Sequence, residues 1–112
     1  MSVEEPRHDR GPAFVTVEYR IDPGRRSDFA QVMQEMRSIR QRDGSVQWEL
    51  HNGIADPARF VEMFVLDSWV EHLRQHERLT AADREIEARV RAFHVGENPP
   101  VISRLIAQSR ST

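Results

Sequence analysis

Apolar and polar residues alternate between Ala13 and Ile21. Val15, Val17, Tyr19 and Ile21 are interleaved with Thr16, Glu18 and Arg20. A period of two with β-branched residues throughout predicts a strand with one apolar and one polar face. Asp22-Pro23-Gly24 ends it, and Asp22 is suited to cap a helix whose first position is Pro23, where the missing N–H costs nothing. The period then becomes helical: Phe29, Val32, Met33, Met36 and Ile39 fall on one stripe. Arg37, Arg40 and Arg42 sit near the negative end of that helix's dipole, and Gly44 is the expected left-handed stop. A second strand is predicted over 45–52, with Val46, Trp48 and Leu50 facing one way and Gln47, Glu49 and His51 the other. After the loop signals Asn52-Gly53 and Asp56-Pro57, a third strand is predicted over 59–67. It is apolar on both faces, Phe60, Phe64 and Leu66 on one and Val61, Met63 and Val65 on the other, interrupted by Glu62. Such a strand belongs in the middle of a sheet or under cover on both sides.

The next stretch, 67–78, opens with a reciprocal capping box between Ser68 and Glu71. A helix starting there brings Trp69, His72, Leu73 and His76 onto one face. It is expected to end near Leu79. Thr80 with Asp83 offers a new cap for a helix that turns Ala82, Ile86, Val90 and Phe93 inward and stops at Gly96. Pro99-Pro100 breaks the chain before a last strand over 101–107. The order strand, helix, strand, strand, helix pair, strand predicts an α+β, ferredoxin-like split βαβ fold. Its four-stranded antiparallel sheet carries the helices on one face.

That arrangement leaves an outer sheet face, expected to carry Thr16, Glu18, Arg20, Gln47, Glu49, His51, Glu62 and Arg104 beside the remaining apolar side chains of the third strand. The mixture is too apolar for water and too charged for a monomer core. It predicts a homodimer joined through the sheet faces, with Arg20 and Arg104 meeting Glu18, Glu49 or Glu62.

Length sets one domain, 13–108, between a flexible N-terminal tail at 1–12 and a short tail at 109–112. All 16 basic side chains are arginine, against 18 acidic ones, for a formal net charge of −2. Charges so mixed give no broad basic field, so no nucleic acid partner is expected. Cysteine is absent, which removes disulfides, thiolate metal sites and a cysteine nucleophile. No apolar run approaches the ~20 residues of a membrane span, and the charged N-terminus does not read as a secretory signal. A cytoplasmic protein without membrane insertion is expected.

Three constellations carry possible chemistry. His72 and His76, one turn apart, can share a metal ion, but two ligands are an incomplete set and no metal is expected. They can instead act as general acid or base beside a pocket, His76 ahead of His72 because it lies nearer a pocket mouth. The third alternative is a pair of histidines hydrogen-bonded at the core edge. The aromatic residues Trp69, Trp48, Tyr19, Phe64 and Phe93 can pack as core or form a flat pocket that stacks an aromatic ligand. Arg84, Glu85, Glu87, Arg89 and Arg91 on the last helix read as a solvated face. No phosphate loop, nucleotide fingerprint or zinc signature is present, and no cofactor is expected.

The element order, with a short Trp- and His-bearing helix before the last strand, resembles the dimeric α+β barrel superfamily and, within it, the antibiotic biosynthesis monooxygenase-like domains. The wording of 15–23 (Val-Thr-Val-Glu-Tyr-Arg-Ile-Asp-Pro), of 39–44 (Ile-Arg-Gln-Arg-Asp-Gly) and above all of 67–78 (Asp-Ser-Trp-Val-Glu-His-Leu-Arg-Gln-His-Glu-Arg) is similar to the soluble C-terminal domain of bacterial major-facilitator exporters. The resemblance spans about 13–107. It implies a dimer and either of two functions. One is cofactor-independent oxygenation of a small aromatic metabolite, as in the related monooxygenases. The other is a non-catalytic ligand-binding or interaction role like that of the exporter-attached domain. Haem degradation, which in some relatives uses an Asn on the first strand with a Trp and a His, is the weaker implication, because the inward positions here are Val15, Val17 and Tyr19.

Overall fold

The computed structural model describes residues 12–76 and 79–107; of these, the side chains of 71, 72, 75 and 76 are not described. The predicted tails therefore lie outside the described residues except for Pro12, as does Glu71's half of the expected Ser68 capping box. The elements run β1 (Ala13–Arg20), a 3-10 turn (Pro23–Arg25), α1 (Arg26–Arg42), β2 (Ser45–Asn52), β3 (Arg59–Leu66), α2 (Trp69–His76), α3 (Ala81–Phe93) and β4 (Val101–Ile106). The four strands form one antiparallel sheet in the order β2-β3-β1-β4. This is the predicted ferredoxin-like α+β architecture.

Local chemistry explains most boundaries. The Asp22 carboxylate accepts from the Gly24 N–H at 2.9 Å, and the turn it closes leads into α1. Gly44, at φ 103°, follows α1 in the left-handed region, where a β-carbon would clash with the backbone. Thr80 and Asp83 form the predicted reciprocal cap at the start of α3. The end of α3 differs: it stops at Phe93, and His94 rather than Gly96 is its C-cap. There the His94 Nδ1 accepts from the Arg20 N–H at 3.0 Å, while the Val95 N–H donates to the Arg20 carbonyl at 2.8 Å. The chain leaves the helix early because Arg20 of β1 binds the His94 ring and the Val95 N–H through its own backbone.

The core lies between the sheet and α1. Val15, Val17 and Tyr19 of β1 and Phe60, Phe64 and Leu66 of β3 meet Phe29, Val32, Met33, Met36 and Ile39 of α1. Phe29 is the hub, edge-on to Phe60 at 5.2 Å, Tyr19 at 5.4 Å and Phe93 at 5.8 Å between ring centroids. From α3, Val90 is buried, and Ile86 and Phe93 pack partly against the cluster. Ala82, expected inside, is exposed; its neighbour Asp83 takes the buried position instead, because Arg42 on α1 supplies a partner. Val46, expected to face inward with Trp48 and Leu50, is 59 % exposed. The register shifts between Ser45 and Gln47, and a bulge of this kind swings one side chain out of the alternation.

Two further expectations are corrected. Glu62 and Arg104 are not on the outer sheet face. Pairing with Val17 puts Glu62 on the helix side, and pairing with Val15 puts Arg104 there too. The outer face keeps its charges within the chain: Arg59 donates to Glu18 at 2.6 Å and Arg20 to Asp56 at 3.0 Å. It also presents Phe14, Val101 and Leu105, each more than a third exposed, which lie opposite or beside one another on β1 and β4.

Candidate functional site

A charged group sits in the middle of the apolar layer. The Glu62 side chain is fully buried. It accepts from Arg40 Nε at 2.9 Å and Nη2 at 3.2 Å, from Trp48 Nε1 at 2.9 Å and from the Tyr19 hydroxyl at 3.4 Å. A buried carboxylate is tolerated only when its oxygens are fully used, and here four donor contacts come from α1, β2 and β1. The Arg40 guanidinium lies over the Phe64 ring at 4.4 Å, adding a cation–π contact to the ion pair. Burial opposes the charge on Arg40, yet Glu62 beside it more than offsets this and holds its pKa above the ordinary value. The Tyr19 hydroxyl is held in its neutral form. Burial first, and then the charge of Glu62, push its pKa up, against smaller opposing effects of Arg40 and Arg91.

This network forms one wall of a cavity of about 330 Å³ between the sheet and the helices. β1 contributes Val15, Val17 and Tyr19; β3 contributes Phe64; α1 contributes Met36 and Arg40. The opposite side is made by Glu87, Val90 and Arg91 of α3, by Pro99 and Pro100, and by Ile102 and Arg104 of β4. A volume near the lower end of the ~300–1,000 Å³ range of small-molecule sites admits a compact ligand. Its apolar walls suit a ring, and the Tyr19 hydroxyl, which donates to Glu62, can accept a hydrogen bond at its floor. Arg91 and Arg104 have no ion-pair or hydrogen-bond partner among the described residues.

The residues singled out in the sequence distribute as follows. Tyr19 and Phe64 line the cavity. Trp48 stands behind it, tied to Glu62, with Arg37 over its ring at 5.8 Å. Phe93 is on the far side of Phe29, covered by Arg25 at 4.3 Å. Trp69 packs against the edge of the core. The side chains of His72 and His76 lie outside the described residues; their helix, α2, runs beside β3. Sequence reasoning missed Arg40, Glu62, Glu87, Arg91 and Arg104. For Glu62 a signal existed: its parity is that of Phe60, Phe64 and Leu66. Arg91 and Glu87 were read as part of a solvated face, but they are one turn apart and both reach the cavity.

This fold and the helix-side cavity define an α+β, ferredoxin-like protein with a pocket between sheet and helices. Among solved structures, its fold is similar to that of a protein from Bordetella bronchiseptica classed with the antibiotic biosynthesis monooxygenases, at 20 % identity and a TM-score of 0.72 over 89 % of this chain and 100 % of that one. A counterpart from Caulobacter crescentus aligns at 16 % identity and a TM-score of 0.73, covering 91 % and 94 % of the two chains. A mutant of SnoaB, a cofactor-independent oxygenase from Streptomyces nogalater, aligns at 13 % identity and a TM-score of 0.64, covering 90 % and 95 %. No curated protein matches. The chain itself belongs to the transmembrane secretion effector family, whose model matches residues 2–112. Among the described residues, no helix is long and apolar enough to cross a membrane.

Proposed function

We propose that the protein takes a small aromatic metabolite into the helix-side cavity and oxygenates it without a metal or flavin. The cavity carries this reading: it is apolar-walled, sized for a small ring system, and bounded by the aromatic and polar side chains of Tyr19 and Phe64. In the proposed reaction a base removes a proton from a phenol or an activated C–H. The resulting carbanion adds O₂ to give a hydroperoxide, which loses water to leave a ketone. One oxygen atom of O₂ enters the product and the other leaves as water. His76 is the proposed base, with His72 one turn before it. In support, α2 packs beside β3, the strand that also supplies Phe64 to the cavity. Trp69 and Trp48 are proposed to limit water entry from that side.

The test is oxygen uptake with an anthrone substrate, comparing wild type with His76→Ala. Turnover by wild type and its loss in the variant, with an unchanged circular dichroism spectrum, is the expected result. Full activity in His76→Ala removes that residue as base. Saturable anthrone binding without oxygen uptake favours the second reading, a non-catalytic ligand-binding domain. Membership of the transmembrane secretion effector family supports that alternative.

The working unit is proposed to be a cytoplasmic homodimer of the 13–108 domain, closed into a barrel through the outer sheet faces. Phe14, Val101 and Leu105 support this, being apolar side chains that a monomer leaves in water.

A further inference from the structure

We infer that the ligand of this cavity carries one negative charge, held between Arg91 on α3 and Arg104 on β4. The inference rests on reading the cavity as a small-molecule site and goes further by naming the chemical class. The charge balance around the cavity points to it. Three guanidinium groups line it, on Arg40, Arg91 and Arg104. Arg40 is matched by Glu62, which it contacts through two nitrogens. Glu87 is the only carboxylate among the described lining residues, and it forms no ion pair. Three positive charges against two negative ones leave the cavity with one uncompensated positive charge.

Arg25, Arg26, Arg37 and Arg84 also lack an ion pair among the described residues, so the lack of a partner alone does not mark a site. Arg20 pairs with Asp56, Arg42 with Asp83, Arg59 with Glu18 and Arg89 with Glu35. Arg91 and Arg104 differ in facing a concave space from a helix on one side and a strand on the other. A guanidinium presents a planar fork of donors that matches a carboxylate or an enolate, and the contact strengthens as apolar walls exclude water. Val15, Val17, Val90 and Ile102 supply such walls. Tyr19, whose hydroxyl donates to Glu62 at 3.4 Å, adds an aromatic wall to the same space. The fitting ligand is a one- or two-ring aromatic monoanion.

The test compares 1-naphthoate with 1-naphthamide, its neutral analogue of the same shape, by titration calorimetry on the full chain. Naphthoate is expected to bind roughly tenfold more tightly, a difference of about 1.4 kcal/mol. Arg91→Gln and Arg104→Gln should each remove most of that preference and leave amide binding unchanged. Glu87→Gln should increase it. Arg84→Gln, on α3 but away from the cavity, should leave it unaltered; an equal loss there would show a diffuse field effect and overturn the inference. Equal affinity for the two probes overturns the anionic class but leaves the cavity reading standing. Binding of neither overturns the cavity reading and the inference with it. Displacement of naphthoate by equimolar inorganic phosphate would show a simple anion site and overturn the aromatic part.

Discussion

Replacing Glu62 with Gln tests the buried network directly. The substitution keeps the volume and removes the charge. Gln offers one acceptor oxygen where the carboxylate offers two, and its amide N–H groups then face the donors of Arg40 or Trp48. The Arg40 side chain is 21 % exposed and Glu62 is fully buried, so the remaining guanidinium is largely unpaired. Removing one partner of a buried pair costs about 3–5 kcal/mol. The residual exposure of Arg40 lets water recover part of this, which places Glu62→Gln near about 3 kcal/mol. For a chain of this length, each kcal/mol moves the melting temperature by about 4 °C, so a fall of about 12 °C is expected. Urea unfolding followed by tryptophan fluorescence, at fixed protein concentration, measures the free energy. Adding Arg40→Met to Glu62→Gln should recover part of the loss, because no buried charge is then left alone. A loss below about 1 kcal/mol for Glu62→Gln, or strictly additive effects in the double variant, would refute the reasoning.

Tyr19 is the chain's single tyrosine, so phenolate absorbance reports on it alone. Its folded pKa is raised; the associated stability is therefore complete below the unfolded value of about 10 and is lost as pH rises above it. Phenolate should appear only as the protein unfolds, and Tyr19→Phe should move the alkaline unfolding midpoint upward. Thr80→Ala removes one half of the α3 cap and should cost about 1 kcal/mol in urea unfolding. For the proposed dimer, Val61→Asp on the outer face should yield a folded monomer by light scattering, whereas Phe60→Asp, in the core, should abolish cooperative unfolding.

Period alone made most of the fold legible. The stripe from Phe29 to Ile39 and the alternation from Val15 to Ile21 are local signals, and both elements appear where those signals lie. The site was less legible because it depends on contacts across the chain. Glu62 reads as an interruption in β3 until Arg40, Trp48 and Tyr19 converge on it from three other elements. No periodicity announces that convergence. Asp83 is a similar case: the capping motif was visible, but its burial follows from Arg42, which lies on another helix. The helix face of Trp69, His72 and His76 drew attention because its residue types are reactive. The arginines that wall the cavity over β1 and β4 drew none, because in the sequence they looked like ordinary surface charge.

The sheet order has a consequence for synthesis on the ribosome. β1 is an interior strand, yet it emerges well before its second neighbour, β4, which starts at Val101, about 80 residues beyond the end of β1 at Arg20. Ala13 stands opposite Ile106, and the Ala107 N–H donates to the Pro12 carbonyl at 3.0 Å. Until that final strand clears the exit tunnel, β1 presents an open hydrogen-bonding edge, one that other nascent chains can occupy. Closing so long a loop also makes the last pairing the slow one. A product terminated before Val101 would keep that edge open for good, and self-association of the truncated chain is its expected fate.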